Sequence, residues 1–174
     1  MKKYDYSQNG VYFVTICAKN HENLFGKIVP VVVGAAFCRP QSCHPPLNAP
    51  ELNEIGQTIK YEVERLSTIY TNATVDKYVI MPNHVHMIIS IANNESKDEA
   101  PAISRIVNQW KRAISIKAGF SPWQKSFHDH IIRNEEDYIR IAEYIESNPS
   151  KWQEDRYHTW GDYQSPADKR IQEV

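Results

Sequence analysis

His84-Val85-His86 is the triplet in this chain that carries the most chemistry. On an extended strand, residues i and i+2 face the same way, so both imidazoles project to one side and Val85 to the other. Two imidazoles on a rigid strand make two-thirds of a facial metal site that leaves positions open for substrate. Such triplets also occur on ordinary strands, so the pattern needs a partner elsewhere in the chain. Tyr144 and Asn148 offer one. At about 100° per residue they lie about 40° apart around a helix, on the flank of an apolar stripe of Tyr138, Ile141, Ala142 and Ile145. A phenol is a competent nucleophile toward phosphorus when a metal or base lowers the barrier to losing its proton. An amide oxygen suits a hard cation such as Mg²⁺ or Mn²⁺ as third ligand. The same pair also fits a half-buried tyrosine and a helix-end asparagine cap. Tyr138, the rival nucleophile, lies about 240° from Tyr144 inside the stripe and reads as core.

These residues need elements to hold them. Val11 to Ala18 is β-branched and aromatic and reads as a buried strand, after the turn signal Asn9-Gly10. Val29 to Pro50, with Pro30, Pro40, Pro45, Pro46 and Pro50, reads as a long inserted loop holding at most a small hairpin. Leu52, Ile55, Ile59, Val63, Leu66 and Tyr70 follow helical spacing. Thr74 to Ile80 and His84 to Ile91 are strand-like runs joined across Met81-Pro82-Asn83, which predicts an antiparallel hairpin. After the polar stretch Asn93 to Ala100, a helix carries Ile103, Ile106, Val107, Trp110 and Ile114 on one face and ends at Gly119. Phe127 to Ile132 reads as a short strand. Asn134 then caps a third helix, acidic in its first turn, that Pro149 stops. The order βαββαβα predicts an α+β fold, a ferredoxin-like antiparallel sheet with helices mainly on one face. Residues 1–174 are expected to form one domain, with the insertion at about 29–50 and a tail from about 150 whose Trp152, Tyr157, Trp160 and Tyr163 pack back.

Composition narrows the function classes. The chain has 174 residues, 41% hydrophobic and 24% charged, which excludes wholesale disorder. No apolar run approaches the roughly 20 residues of a membrane span, and the basic start lacks the apolar core of a secretion signal. Cys17, Cys38 and Cys43 are too few for a disulfide framework, so the cytoplasm is the expected address. The net charge of −1 hides an asymmetry. Arg105, Lys111, Arg112, Lys117, Lys125 and Arg133 are opposed only by Asp129, whereas the chain from Asn134 onward is acidic. The polar face of the second helix, which equally fits a plain solvated surface, offers Arg105, Asn108, Gln109, Lys111 and Arg112 as candidate contacts for a polyanion such as DNA, with Lys111 off the most polar line. His128 and His130 repeat the i, i+2 spacing, near the site or on an exposed strand face. Cys38 with Cys43-His44 lacks the fourth ligand of a zinc site and reads as loop.

The stretch Tyr78-Val79-Ile80-Met81-Pro82-Asn83-His84-Val85-His86-Met87-Ile88-Ile89 resembles the His-hydrophobic-His core of the single-tyrosine HUH transposases. Ile132-Arg133-Asn134 followed by Tyr144-Ile145-x-x-Asn148-Pro149 resembles the segment carrying their nucleophile, particularly in the REP-associated branch. The resemblance spans roughly Tyr12 to Trp152. It implies a single-stranded DNA endonuclease and strand transferase acting at hairpin-flanked sites. His84 and His86 would bind Mg²⁺ or Mn²⁺, with Asn148 as third ligand, and Tyr144 would form a 5′-phosphotyrosine. It also implies a monomer or homodimer, with the complete site expected in one chain. Two other readings stay open: a non-catalytic nucleic-acid-binding module, and a metal phosphodiesterase that uses water.

Overall fold

The structure, a computed structural model, describes residues 10–31, 47–92 and 103–155. Four strands build its main sheet: β1 (Gly10–Cys17), β4 (Ala73–Ile80), β5 (His84–Ile91) and β6 (His128–Ile132), in the spatial order β4-β5-β1-β6. Every neighbouring pair is antiparallel. The helices α1 (Glu54–Glu64), the short α2 (Leu66–Ile69), α3 (Ile103–Ala118) and α4 (Glu135–Ser147) complete the βαββαβα order. Two further strands, β2 (Gly26–Val31) and β3 (Leu47–Leu52), pair with each other and, among the described residues, with no other strand.

Strict alternation divides the sheet into two faces. Tyr12, Val14 and Ile16 of β1 join Val85, Met87 and Ile89 of β5 in one buried cluster. That cluster is closed by Ile59 and Val63 of α1 and by Ile106, Val107, Trp110 and Ile114 of α3. The opposite face carries Val11, Phe13 and Ile88, packed with Ile132 and with Ile141, Ala142 and Ile145 of α4. So α1 and α3 share one face, while α4 lies alone across the other. The register sets Cys17 opposite His84 and Thr15 opposite both His86 and His128. Parity places His86 and Thr15 on the side of the sheet that carries Phe13 and meets Tyr144 of α4.

Local chemistry accounts for the elements and for one departure. Asn134 caps α4, its Oδ1 accepting from Asp137 N–H at 2.8 Å. Gly119 ends α3 at φ +77°, a conformation a side chain would strain. The small hairpin allowed for in the Pro-rich insertion is the antiparallel β2–β3 pair, with Pro30 and Pro50 inside its strands. A two-stranded ribbon leaves each strand one unpaired edge, where a missing N–H breaks no ladder. Residues 32–46, including Cys38, Cys43 and His44, lie outside the described residues. The helix expected from Leu52 to Tyr70 begins later and breaks: Leu52 ends β3, Asn53 caps α1 by accepting from Gly56 N–H at 3.0 Å, and the helix stops at Glu64 before α2. Among the described residues, no helix is long and apolar enough to cross a membrane.

Candidate active site

Both histidines of the triplet are buried rather than solvent-facing, His84 at 0% and His86 at 1% exposure. Burying two imidazoles requires each to be fixed by hydrogen bonds. His86 Nδ1 lies 2.9 Å from Thr15 Oγ1, its neighbour across the β1–β5 ladder. His84 Nδ1 lies 2.9 Å from the side-chain oxygen of Asn83. The rings meet edge to face with centroids 4.5 Å apart. Phe13 stacks on His86 at 5.2 Å, and Trp152 covers His84 at 6.0 Å.

Helix α4 brings Tyr144 over this floor. Its hydroxyl lies 3.3 Å from His86 Nε2, the nitrogen that Thr15 does not use. Tyr144 is 40% exposed, so the phenol faces the histidine on one side and solvent on the other. Tyr138, one and two-thirds turns earlier, packs into the apolar cluster under α4, as its place in the stripe predicts.

Asn148 follows the last turn of α4 and is 2% exposed. Its Nδ2 donates to Asp155 Oδ2 at 3.1 Å. This orients the amide, and its buried Oδ1 has no hydrogen-bond partner among the described residues. That open buried acceptor belongs to the residue whose amide N–H holds the Asp155 carboxylate. The ligand atoms of His84, His86 and Asp155 lie within 4.8 Å of one another and could hold a metal ion. Two nitrogen donors and one carboxylate could hold a divalent cation. A shallow groove lined by Tyr144, Ser147, Asn148, Lys151, Glu154 and Asp155 opens from here to solvent.

Sequence reasoning missed Asp155. It is one carboxylate in an acidic C-terminal stretch, and no periodicity singles it out. The helical turn Trp152–Glu154 folds the chain back, with Asp155 N–H donating to Trp152 O at 3.1 Å, and this returns the carboxylate to the histidines.

The candidate DNA contacts divide. Arg105, Asn108, Gln109 and Arg112 are exposed on α3, on the face of the sheet opposite the histidines. Gln109 also accepts a hydrogen bond from the Tyr70 hydroxyl. Lys111 requires a correction. It is 8% exposed, and its ammonium donates to the carbonyls of Gln124, Lys125 and Ser126 at 2.6, 3.3 and 3.4 Å. Its own carbonyl accepts from Trp123 Nε1 at 3.1 Å. Lys111 thus ties the α3–β6 connection to the core, and burial lowers its pKa from the ordinary lysine value. His128 and His130 share the site's face by register but are exposed, and His130 Nε2 bonds Asp137 at 2.7 Å instead of joining the other two.

No protein-family model matches the chain. An uncharacterized protein of Haemophilus influenzae is 31% identical over 179 residues, covering 91% of this chain and 90% of its own. A REP-associated tyrosine transposase of Escherichia coli is 31% identical over 77 residues, 44% of each chain. Among solved structures, a REP-associated tyrosine transposase bound to a REP hairpin superposes with a TM-score of 0.58 at 19% identity, covering 94% of this chain and 81% of that one. With that sheet order, the buried His84 and His86 and the helix-borne Tyr144, the chain is similar to REP-associated tyrosine transposases, in fold to the solved structure and in sequence over 44% of its length to the Escherichia coli protein. That likeness supports a transposase role.

Proposed function

We propose that this protein is a metal-dependent endonuclease and strand transferase for single-stranded DNA, with Tyr144 as nucleophile. One observation carries the reading: the Tyr144 hydroxyl stands 3.3 Å from His86, beside the His84, His86 and Asp155 group, with its other side open to solvent. A water-using phosphodiesterase has no use for a phenol held there.

His84, His86, Asp155 and the Asn148 amide oxygen would hold the cation. When bound, it supplies positive charge against the oxygens of the scissile phosphate. The protein's own residues do the rest. Tyr144 Oη forms a bond to phosphorus as the bond from phosphorus to the 3′-oxygen breaks, the phenol losing a proton and the 3′-oxygen gaining one. The product is a 5′-phosphotyrosine and a free 3′-hydroxyl, which keeps the phosphodiester energy for rejoining. Phe13 and Trp152 wall the histidines against rotation and water. His86, Tyr144 and Asp155 come from one chain, which supports a site complete within a monomer. The substrate is single-stranded DNA next to a hairpin, by likeness to the relative bound to a REP hairpin. Arg105, Asn108, Gln109 and Arg112 would then hold phosphates outside the scissile segment, since they lie across the sheet from Tyr144.

The test is incubation with Mn²⁺ and end-labelled single strands carrying hairpins from the flanks of the gene, followed by a denaturing protein gel. A labelled protein band that needs both Tyr144 and metal is expected. Cleaved DNA without an adduct would replace this reading with the phosphodiesterase, and binding without either would replace it with a binding module.

A further inference from the structure

We infer that Asn83 is a positioning residue that decides which nitrogen His84 presents to the site. The inference rests on the metal-centred reading above. Asn83 is fully buried in the turn between β4 and β5. Its Nδ2 donates to the backbone carbonyl of His21 at 3.0 Å. A carbonyl can only accept, so the amide cannot be turned round, and its oxygen must be the atom 2.9 Å from His84 Nδ1. An amide oxygen can only accept as well, so Nδ1 carries the ring proton. A neutral imidazole has one N–H, which leaves the Nε2 lone pair for a metal.

His86 is held differently. Its Nδ1 faces the Thr15 hydroxyl at 2.9 Å, a group that donates or accepts, so that contact orients the ring without dictating its tautomer. The His84 proton is assigned by a one-way chain of partners running from His21 O through Asn83.

The segment holding His21 is shaped for this contact. Asn20 and His21 both have φ of 56°, a left-handed conformation that non-glycine residues seldom adopt, least of all twice running. The flanking chain grips the same turn at two further points: Ala18 N–H donates to Asn83 O at 2.7 Å, and Phe25 N–H to Pro82 O at 2.9 Å. Residues 18–25 thus fold around Pro82-Asn83, with the His21 carbonyl turned toward the asparagine.

Two measurements test this. Nitrogen-15 NMR of the metal-free wild-type protein at alkaline pH should show His84 in the Nδ1–H tautomer, and Asn83→Ala should mix the tautomers. In a Mn²⁺ titration followed by calorimetry, Asn83→Ala should bind about 10- to 100-fold more weakly than wild type. Asn83→Asp keeps an acceptor for His84 and should restore most of that affinity. An Nε2–H tautomer in the wild type would overturn the inference, even if both variants fail to fold. So would a folded Asn83→Ala that binds Mn²⁺ as tightly as wild type. A wild type that binds no Mn²⁺ but shows the Nδ1–H tautomer, lost in Asn83→Ala, upholds the role of Asn83 and removes the metal-centred reading instead.

Discussion

Strands β1 and β5 contribute to two surfaces whose contents differ at every second residue. On one, Tyr12, Val14, Ile16, Val85, Met87 and Ile89 meet two helices in a large apolar cluster. On the other, Phe13, Thr15, His84 and His86 meet the end of one helix, and only a small apolar cluster lies beside them. Burying imidazoles, an amide and a carboxylate is unfavourable unless each finds a partner. The apolar face supplies the stability that lets the other hold such groups in fixed geometry. The division teaches that stability and chemistry should be separable here by substituting adjacent residues of one strand.

Tyr144→Phe should have the largest effect on chemistry, with no covalent adduct on the gel. Because Tyr144 is exposed, stability should change by no more than about 0.5 kcal/mol in urea unfolding. Met87→Ala, next to His86 but buried on the opposite face, should invert this pattern. It is expected to cost about 2–5 kcal/mol while the folded fraction forms adduct at the wild-type rate. Adduct formation lost in Met87→Ala without loss of stability would break the division.

Within the polar face, Asp155→Asn and Asn148→Ala sharpen the comparison. Each should weaken Mn²⁺ binding about tenfold or more in calorimetry, on the scale of disturbed metal surroundings. Unchanged affinity in Asn148→Ala would remove its oxygen from the ligand set and leave Asn148 as the anchor of Asp155.

A smaller effect separates two neighbours on α3. Arg112→Ala should weaken binding of hairpin DNA and lower the salt slope by about 1, the signature of one lost phosphate contact. Lys111→Met should leave the slope unchanged, because the Lys111 ammonium is held by three carbonyls.

What could be read in advance follows the same physics. Alternation placed His84 and His86 together on one side of β5, and helical spacing placed Tyr144 and Asn148 along one groove at the end of α4, because both depend only on local geometry. The four-stranded order followed from the sequence of elements. Lys111 misled because a long side chain at the margin of a polar face can turn inward wherever carbonyls await it. Pro30 and Pro50 hid the bounds of the hairpin there, because its strands pair in a ribbon with open edges that tolerate proline. Asp155 and Asn83 act through non-local contacts, with Asn148 and with the His21 carbonyl, that no spacing rule encodes.

The smallest predicted effect lies at the edge of the site's face, where His130 meets α4. The hydrogen bond from His130, then that from Arg140, holds the Asp137 carboxyl below the ordinary aspartate value of about 3.8. Asp137 also sits in the first turn of α4, where a negative charge is favoured. A depressed folded pKa means that the unfolded chain binds the proton more readily. The stabilisation is therefore full above about pH 3.8 and is lost as pH falls through the lower folded value. Asp137→Asn should remove that part of the acid dependence, flattening the fall in Tm below pH 4 while changing Tm little in strongly acid solution. The group is at the surface, so salt should reduce the difference between the two proteins. An acid limb identical in wild type and Asp137→Asn would show that the His130 and Arg140 contacts of Asp137 add nothing to the hold on α4, leaving it to the apolar stripe and the Lys77–Glu146 pair.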